Sequence, residues 1–308
     1  METHQITLRL VWRDYIEVRT PAENTIKNGA SMLNALKDWN DLDISTITRK
    51  MVREKFLSMK KTPAMANGAF RLLSTLYNFA ISNYETDDEK PIFTVNPVGT
   101  LSRPVSLWYP DNIRQRHIPL KKLATWWSAV LMLQNTTVRD YMLLCVLLGF
   151  RHEEASALRW SDVDFEERTI TIPETKNGSE LVQPFGRFVD EMLLDRKRFS
   201  HSPYVFPGDG KKAGHMVAPY RVFQIVEEAT GLDFSPHDLR RTFNKIAIAA
   251  GIDEFKRKRL MNHSFQDVTG KHYSPPDPEE LRESIQKIED LALRLADMDL
   301  FNDCIKAS

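Results

Sequence analysis

Cysteine is almost missing from this 308-residue chain; only Cys145 and Cys304 occur. Two thiols make neither a disulfide framework nor a zinc site, and a reducing compartment suits them best. Cys145 falls in the apolar run YMLLCVLLGF, where a small buried side chain is expected. Long apolar runs are missing as well. The longest, residues 142–150, is too short to cross a bilayer, and the opening METHQITLRLVWRDY is charged too early and too often for a signal peptide. A soluble, intracellular protein with no membrane partner is expected. Neither sign of charge is in excess: 42 Lys and Arg stand against 42 Asp and Glu. The overall balance therefore does not advertise nucleic acid. Internal repeats and low-complexity tracts are absent. No carboxylate cluster has metal-ligand spacing, which argues against a two-metal nuclease and gives no reason to expect a metal or cofactor.

What is present is an apolar fraction of 42%, enough for a sizeable core, in a length that suits two domains. Charge is also patterned locally. Basic groups gather as RQRHIPLKK (114–122), DRKRF (195–199), GKK (210–212) and FKRKR (255–259), and acid gathers at 85–90 and 277–300. Such basic patches either grip a phosphate backbone or are ordinary solvated surface.

Helical periodicity dominates residues 5–83. A first helix is expected in TLRLVWRDYIEV, a second from Pro21 or Thr25 to Trp39, and a third capped by Thr48 with Val52 and Phe56 on one face. A fourth, from about 63 to 83, carries Phe70, Leu73, Leu76, Tyr77 and Ala80 at helical spacing. The pattern fades at 85–104, where charge, proline and glycine mark a domain boundary: a wrapping connection or a plain surface linker. Helices resume over 117–150. The alternating RTITIPE (168–174) and LVQPF (181–185) flank a tight NGS turn, so a β-hairpin is expected with Lys176 near its tip. Further helices are expected at 222–231 (closed by Gly231), at 236–251 between Pro236 and Gly251, and up to Asn262. In the tail, Leu281, Ile285, Ile288, Ala292 and Leu295 form one apolar stripe, which docks either on its own domain or on a neighbouring subunit.

Six residues stand out chemically. Arg151 follows a buried run directly and has Glu154 three residues on, able to fix its guanidinium. His237 and Arg240 share one face at the start of a helix, a good place for an anion. His263, the hairpin Lys176 and Tyr273 complete the set. Taken singly, each has an ordinary explanation as a surface salt bridge, a capping group, a solvated lysine or a half-buried aromatic. Together they describe phosphoryl chemistry. A tyrosine hydroxyl can attack a phosphodiester, two arginines can neutralise the crowded phosphorus oxygens, Lys176 can protonate a leaving oxygen, and the histidines can position or relay protons.

Four segments carry a resemblance to a known family: GFRHEEASALRWSDVDF (149–165), TKNG (175–178), SPHDLRRTF (235–243) and LMNHSFQDVTGKHY (260–273). In order and spacing they resemble the tyrosine recombinases of the phage-integrase type. The resemblance implies Arg151, Lys176, His237, Arg240 and His263 as active-site residues and Tyr273 as nucleophile. Asn262 stands where many members have glycine, and the gap from His263 to Tyr273 is one residue longer than in the simplest members. The implied fold is mainly α with a small β-sheet: a two-domain clamp of a helical core-binding domain and a mixed α/β catalytic domain. The corresponding boundaries are residues 1–88, a linker at 89–114, a catalytic domain at 115–276, and a C-terminal helix at 277–308 that is exchanged between protomers in such enzymes. With only residues 1–4 ahead of the first helix, no arm-binding domain is expected. The implied function is site-specific recombination through a 3′-phosphotyrosine intermediate, in integration or excision of a mobile element. The implied partners are double-stranded DNA, further copies of the chain forming a tetramer on paired sites, and accessory bending or directionality proteins, in the cytoplasm at the nucleoid. A type IB topoisomerase-like enzyme and a catalytically inactive DNA-binding protein are the alternatives.

Overall fold

Helices α1 (Leu8–Arg19), α2 (Glu23–Ala35), α3 (Arg49–Ser58) and α4 (Pro63–Asn83) build the first of two units, residues 1–114. The computed structural model describes residues 5–102, 105–111, 115–173, 180–208, 214–217, 219–262 and 277–297. The expectations for Lys176, His263 and Tyr273 lie outside the described residues.

Apolar spacing decides this first unit. On α4, Ala66, Phe70, Leu73, Tyr77 and Ala80 are all buried, so one stripe of the helix faces the core. Val52 and Phe56 of α3 meet it, with the Phe56 and Phe70 rings edge to face at 5.3 Å. Removing a side chain such as Phe56 from water stabilises the unit by about 1.5–3 kcal/mol. Thr48 caps α3 by accepting the Met51 N–H at 3.2 Å, as its position predicts. The helix expected to reach Trp39 ends instead at Ala35, and a 3₁₀ turn covers Lys37–Trp39. In that tighter turn, side chains three apart eclipse, which lets Leu36 and Trp39 enter the core together. The proline- and charge-rich stretch after α4 is built into the same core. Phe93, Val98 and Leu101 are buried there, the Tyr109 ring stacks on Phe56 at 4.8 Å, and Asn67 exchanges hydrogen bonds with the Tyr109 main chain.

The second unit, residues 115–308, is organised around α6 (Thr136–Leu148), whose residues 140–148 are all buried. The run too short to span a membrane is thus the centre of a core. Packed in the same core are α5 (Leu123–Leu131) with Trp126 and Trp127, and α10 (Pro236–Ala249) with Leu239, Phe243 and Ile246. Short helix α7 (His152–Ser156) follows α6, and α8 (Arg187–Arg198), α9 (Tyr220–Thr230) and α11 (Glu254–Leu260) complete the main body. Gly149 ends α6 at φ 68°, and a Cβ there would lie 2.4 Å from the Phe243 ring. Only glycine provides both the handedness and the close approach.

Strands β1 (Val163–Asp164), β2 (Thr169–Ile172) and β3 (Leu181–Pro184) form an antiparallel sheet in the order β1-β2-β3. The expected hairpin is present, with Thr169 opposite Pro184 and Ile172 opposite Leu181. Buried Gln183 donates to the Leu148 carbonyl at 2.8 Å and ties the sheet to the end of α6. The tail helix, α12 (Pro278–Leu295), packs on its own unit through buried Leu281, Ile285, Ile288 and Ala292. Its buried Glu289 accepts the Phe188 and Val189 N–H groups at 2.9 and 3.2 Å. That carboxylate caps α8, whose own N-cap, Gly186, has no side chain.

Candidate active site

The end of α6 determines where Arg151 lies. After the left-handed turn at Gly149, Phe150 is buried and Arg151 caps the start of α7. Glu154 holds it twice: one carboxylate oxygen accepts the Arg151 main-chain N–H at 2.8 Å, the other accepts from Nη1 at 2.6 Å. The expected charge-assisted bond is therefore present, with Glu154 nearly buried. His152, which sequence reasoning did not single out, braces the same turn. Its Nε2 lies 2.7 Å from the Val217 carbonyl and its Nδ1 lies 2.6 Å from the Tyr141 hydroxyl. A carbonyl can only accept, so Nε2 donates to Val217, and Nδ1 shares a hydrogen bond with the Tyr141 hydroxyl.

His237 and Arg240 lie in the first turn of α10, opposite the end of α6. Ser235 caps this helix with Asp238, which accepts the Ser235 N–H at 3.0 Å and its hydroxyl at 2.7 Å. Asp238 is buried, and it also pairs with Arg241 at 2.9 Å and Arg116 at 3.3 Å. Arg241 is thus held as a salt-bridge partner of Asp238.

Arg240 is buried at 3% exposure. Its Nη1 donates to the Gly149 carbonyl at 2.6 Å and its Nη2 donates to the Met261 carbonyl. Arg151 Nη2 donates to the next carbonyl, that of Asn262, at 3.2 Å. The two guanidiniums therefore meet at one turn of chain, immediately before residues 263–276. Burial, then the charge of Arg151, lowers the pKa of Arg240 to about 10, so it stays cationic at neutral pH. His237 is also shifted down, by partial burial and by the guanidiniums of Arg241, Arg240 and Arg151. An imidazole kept neutral in this way can accept a proton.

Arg151, His237 and Arg240 are thus brought together. The main-chain acceptors at Gly149, Met261 and Asn262 were missed, because a carbonyl has no sequence signature. Asp238 was legible only as the partner of Ser235 three residues earlier.

Several residues of the basic clusters are engaged within the fold. Arg116 pairs with Asp233 and Asp238. Arg196 pairs with Asp140, Arg198 with Asp195, and Lys197 lies over the Trp160 ring. Arg257 donates to Asn244 Oδ1 at 2.9 Å, and Lys258 pairs with Glu254. Among the described residues, no group of His, Cys, Asp and Glu is arranged to hold a metal ion.

Comparison with known proteins adds to this geometry. The sequence profile of the phage integrase family matches residues 124–280. Prophage integrase IntF of Escherichia coli (strain K12) is 26% identical over 307 residues, covering 94% of this chain and 63% of that protein. Tyrosine recombinase XerA of Pyrococcus horikoshii is 28% identical over 159 residues, covering 49% of this chain and 55% of that one. The chain therefore spans less than two thirds of the length of either relative. Among solved structures, a lambda integrase tetramer bound to a Holliday junction superposes with a TM-score of 0.66 at 17% identity, covering 89% of this chain and 79% of that one. At that identity the likeness shows the fold alone.

Proposed function

We propose that this chain, which belongs to the phage integrase family, cuts and rejoins DNA strands at specific sites through a 3′-phosphotyrosine link. Tyr273 attacks the scissile phosphorus and passes its proton to His237. The 5′ oxygen departs and takes a proton from Lys176. Arg151 and Arg240 bind the non-bridging oxygens, where negative charge builds up in the transition state. His263 donates a hydrogen bond to the same phosphate. The free 5′-hydroxyl of a partner strand then attacks the phosphotyrosine, which restores Tyr273. The phosphodiester energy is kept in the covalent link throughout.

The observation that carries this reading is the convergence of Arg151 and Arg240, with His237 on the same helix turn, at the carbonyls of residues 261 and 262. Two fixed cations and a near-neutral imidazole suit a phosphodiester. The substrate is double-stranded DNA, and the working assembly is a tetramer on paired sites, as in the lambda integrase assembly on a Holliday junction. In this reading residues 1–88, with the 89–114 stretch packed into the same unit, bind the core site, and residues 115–276 carry the chemistry. A DNA substrate also places the protein at the nucleoid. Among the described residues no helix is long and apolar enough to cross a membrane.

A suicide-substrate assay on DNA flanking the gene tests the proposal. The wild-type protein is expected to form a denaturant-resistant adduct whose linkage maps to Tyr273. Tyr273→Phe is expected to bind the same DNA and form none. An adduct that survives Tyr273→Phe would remove the nucleophile. Binding without any adduct would leave a DNA-binding protein, and relaxed circles without recombinants would identify a topoisomerase.

A further inference from the structure

Asn262 adopts φ 44°, in the left-handed region that L side chains seldom enter and that asparagine tolerates better than most. Its N–H closes α11 on the Arg259 carbonyl at 2.9 Å. Two consecutive carbonyls at this turn then serve two different arginines: Met261 accepts from Arg240, and Asn262 accepts from Arg151. Had the helix continued, both carbonyls would point the same way along its axis. The left-handed residue swings the second away from the first, so that each can meet its own guanidinium.

We propose that Asn262 is a positioning residue: its left-handed turn presents two successive carbonyls that hold Arg240 and Arg151 at the spacing needed to receive one phosphate. The phosphate in this statement rests on the proposed function above; the holding of the arginines does not. Carbonyls are neutral, so they orient both guanidiniums without adding to the compensation that Glu154 already gives Arg151. A carboxylate in the same place would orient them equally well and cancel more of their charge. The next residue in the chain is His263, so the same turn fixes the point from which the His263–Tyr273 segment departs. What matters at position 262 is the main-chain conformation. Glycine enters the left-handed region freely and would preserve the turn, whereas a β-branched residue would oppose it.

The experiment compares Asn262→Gly with Asn262→Val in the full chain. Three quantities are measured: single-turnover cleavage of the suicide substrate at saturating DNA, DNA affinity, and hydrogen exchange of the arginine side-chain N–H groups by NMR. Asn262→Val is expected to cleave at least about tenfold more slowly with affinity within about threefold of wild type, and Asn262→Gly to cleave within about threefold of wild type. In the exchange experiment, the Arg151 and Arg240 guanidiniums should be protected in wild type and Asn262→Gly and exposed in Asn262→Val. Wild-type cleavage by Asn262→Val overturns the proposal. So does an Asn262→Gly protein as slow as Asn262→Val, which would assign the effect to the amide side chain. If Asn262→Val does not fold, Asn262→Ala, strained less at the same φ, is expected to fall between the other two, and equality with wild type overturns the proposal. A wild-type protein without cleavage would sink the proposed function instead. The exchange measurement then decides the positioning role by itself, and unchanged protection in Asn262→Val rejects it.

Discussion

An arginine packs against each end of helix α6, Arg196 largely buried and Arg240 fully so, and the two are held in different ways. At its start, Arg196 pairs with Asp140 at 3.0 Å and also donates to Thr137 Oγ1 at 2.7 Å and the Val205 carbonyl at 2.6 Å. Its guanidinium lies 5.2 Å from the centre of the Phe206 ring. At the far end, Arg240 has the carbonyls of Gly149 and Met261, and among the described residues no carboxylate pairs with it. Burial lowers the pKa of both. The first charge is neutralised inside the fold by a direct ion pair; the second is oriented without one, and the Glu154 carboxylate acts on it only at a distance. A fold keeps a buried cation without a direct ion pair at a cost in stability, and a bound anion removes that cost. The difference separates an arginine that holds the structure together from one prepared for a ligand.

Replacing each arginine by methionine should break this comparison most sharply. Arg240→Met is expected to lower cleavage by roughly a thousandfold, the scale of losing a preorganised charge at a transition state. Its effect on stability should stay within about 2 kcal/mol, because relief of the buried charge offsets two carbonyls losing a donor. Single-turnover cleavage and urea unfolding of the same protein measure both. A large loss of stability in Arg240→Met would mean that its charge is structural after all.

Arg196→Met should do the reverse. It leaves Asp140 buried with only Arg139 beside it, and is expected to cost about 3 kcal/mol. Cleavage per folded molecule should remain near wild type. Slow cleavage at full folding would show that the start of α6 communicates with the site.

Glu289 sharpens the comparison from the anionic side. Like Arg240 it is a buried charged group held only by neutral partners, here two N–H groups and Gln286. Unlike arginine it can escape by protonation, and burial does raise its pKa above the ordinary 4.5. Its folded value exceeds its unfolded value, so the stability it contributes is fully present below pH 4.5 and is lost as pH rises through the raised value. Glu289→Gln should flatten that part of the stability–pH curve, by no more than about 1 kcal/mol, while still offering one oxygen to α8. An unchanged slope across this range would place the titration elsewhere.

Much of the scaffold was legible in the sequence because it is local. The stripe on α4, the Thr48 cap, the pairing of β2 with β3 and the end of α9 at Gly231 all follow from spacings of two to four residues. Membership of Arg151, His237 and Arg240 in one cluster was legible because their motifs are short and ordered. What escaped was long-range or main-chain. Arg196 read as one member of a basic patch, since Asp140 lies 56 residues away. Arg116 read the same way, although its partners are Asp233 and Asp238. The carbonyls that orient the arginines exist only once α6, α10 and α11 are packed. The 85–104 stretch read as a boundary because its apolar residues, Phe93, Val98 and Leu101, follow no period.

The contact between Gly149 and Phe243 constrains how this chain can drift over generations. Position 149 is locked twice, once by its backbone hand and once by the ring 2.4 Å from where a methyl would sit. Trimming Phe243 opens the second lock and leaves the first, so no single earlier change makes an L residue welcome at 149. Position 149, two residues before Arg151, should therefore stay glycine.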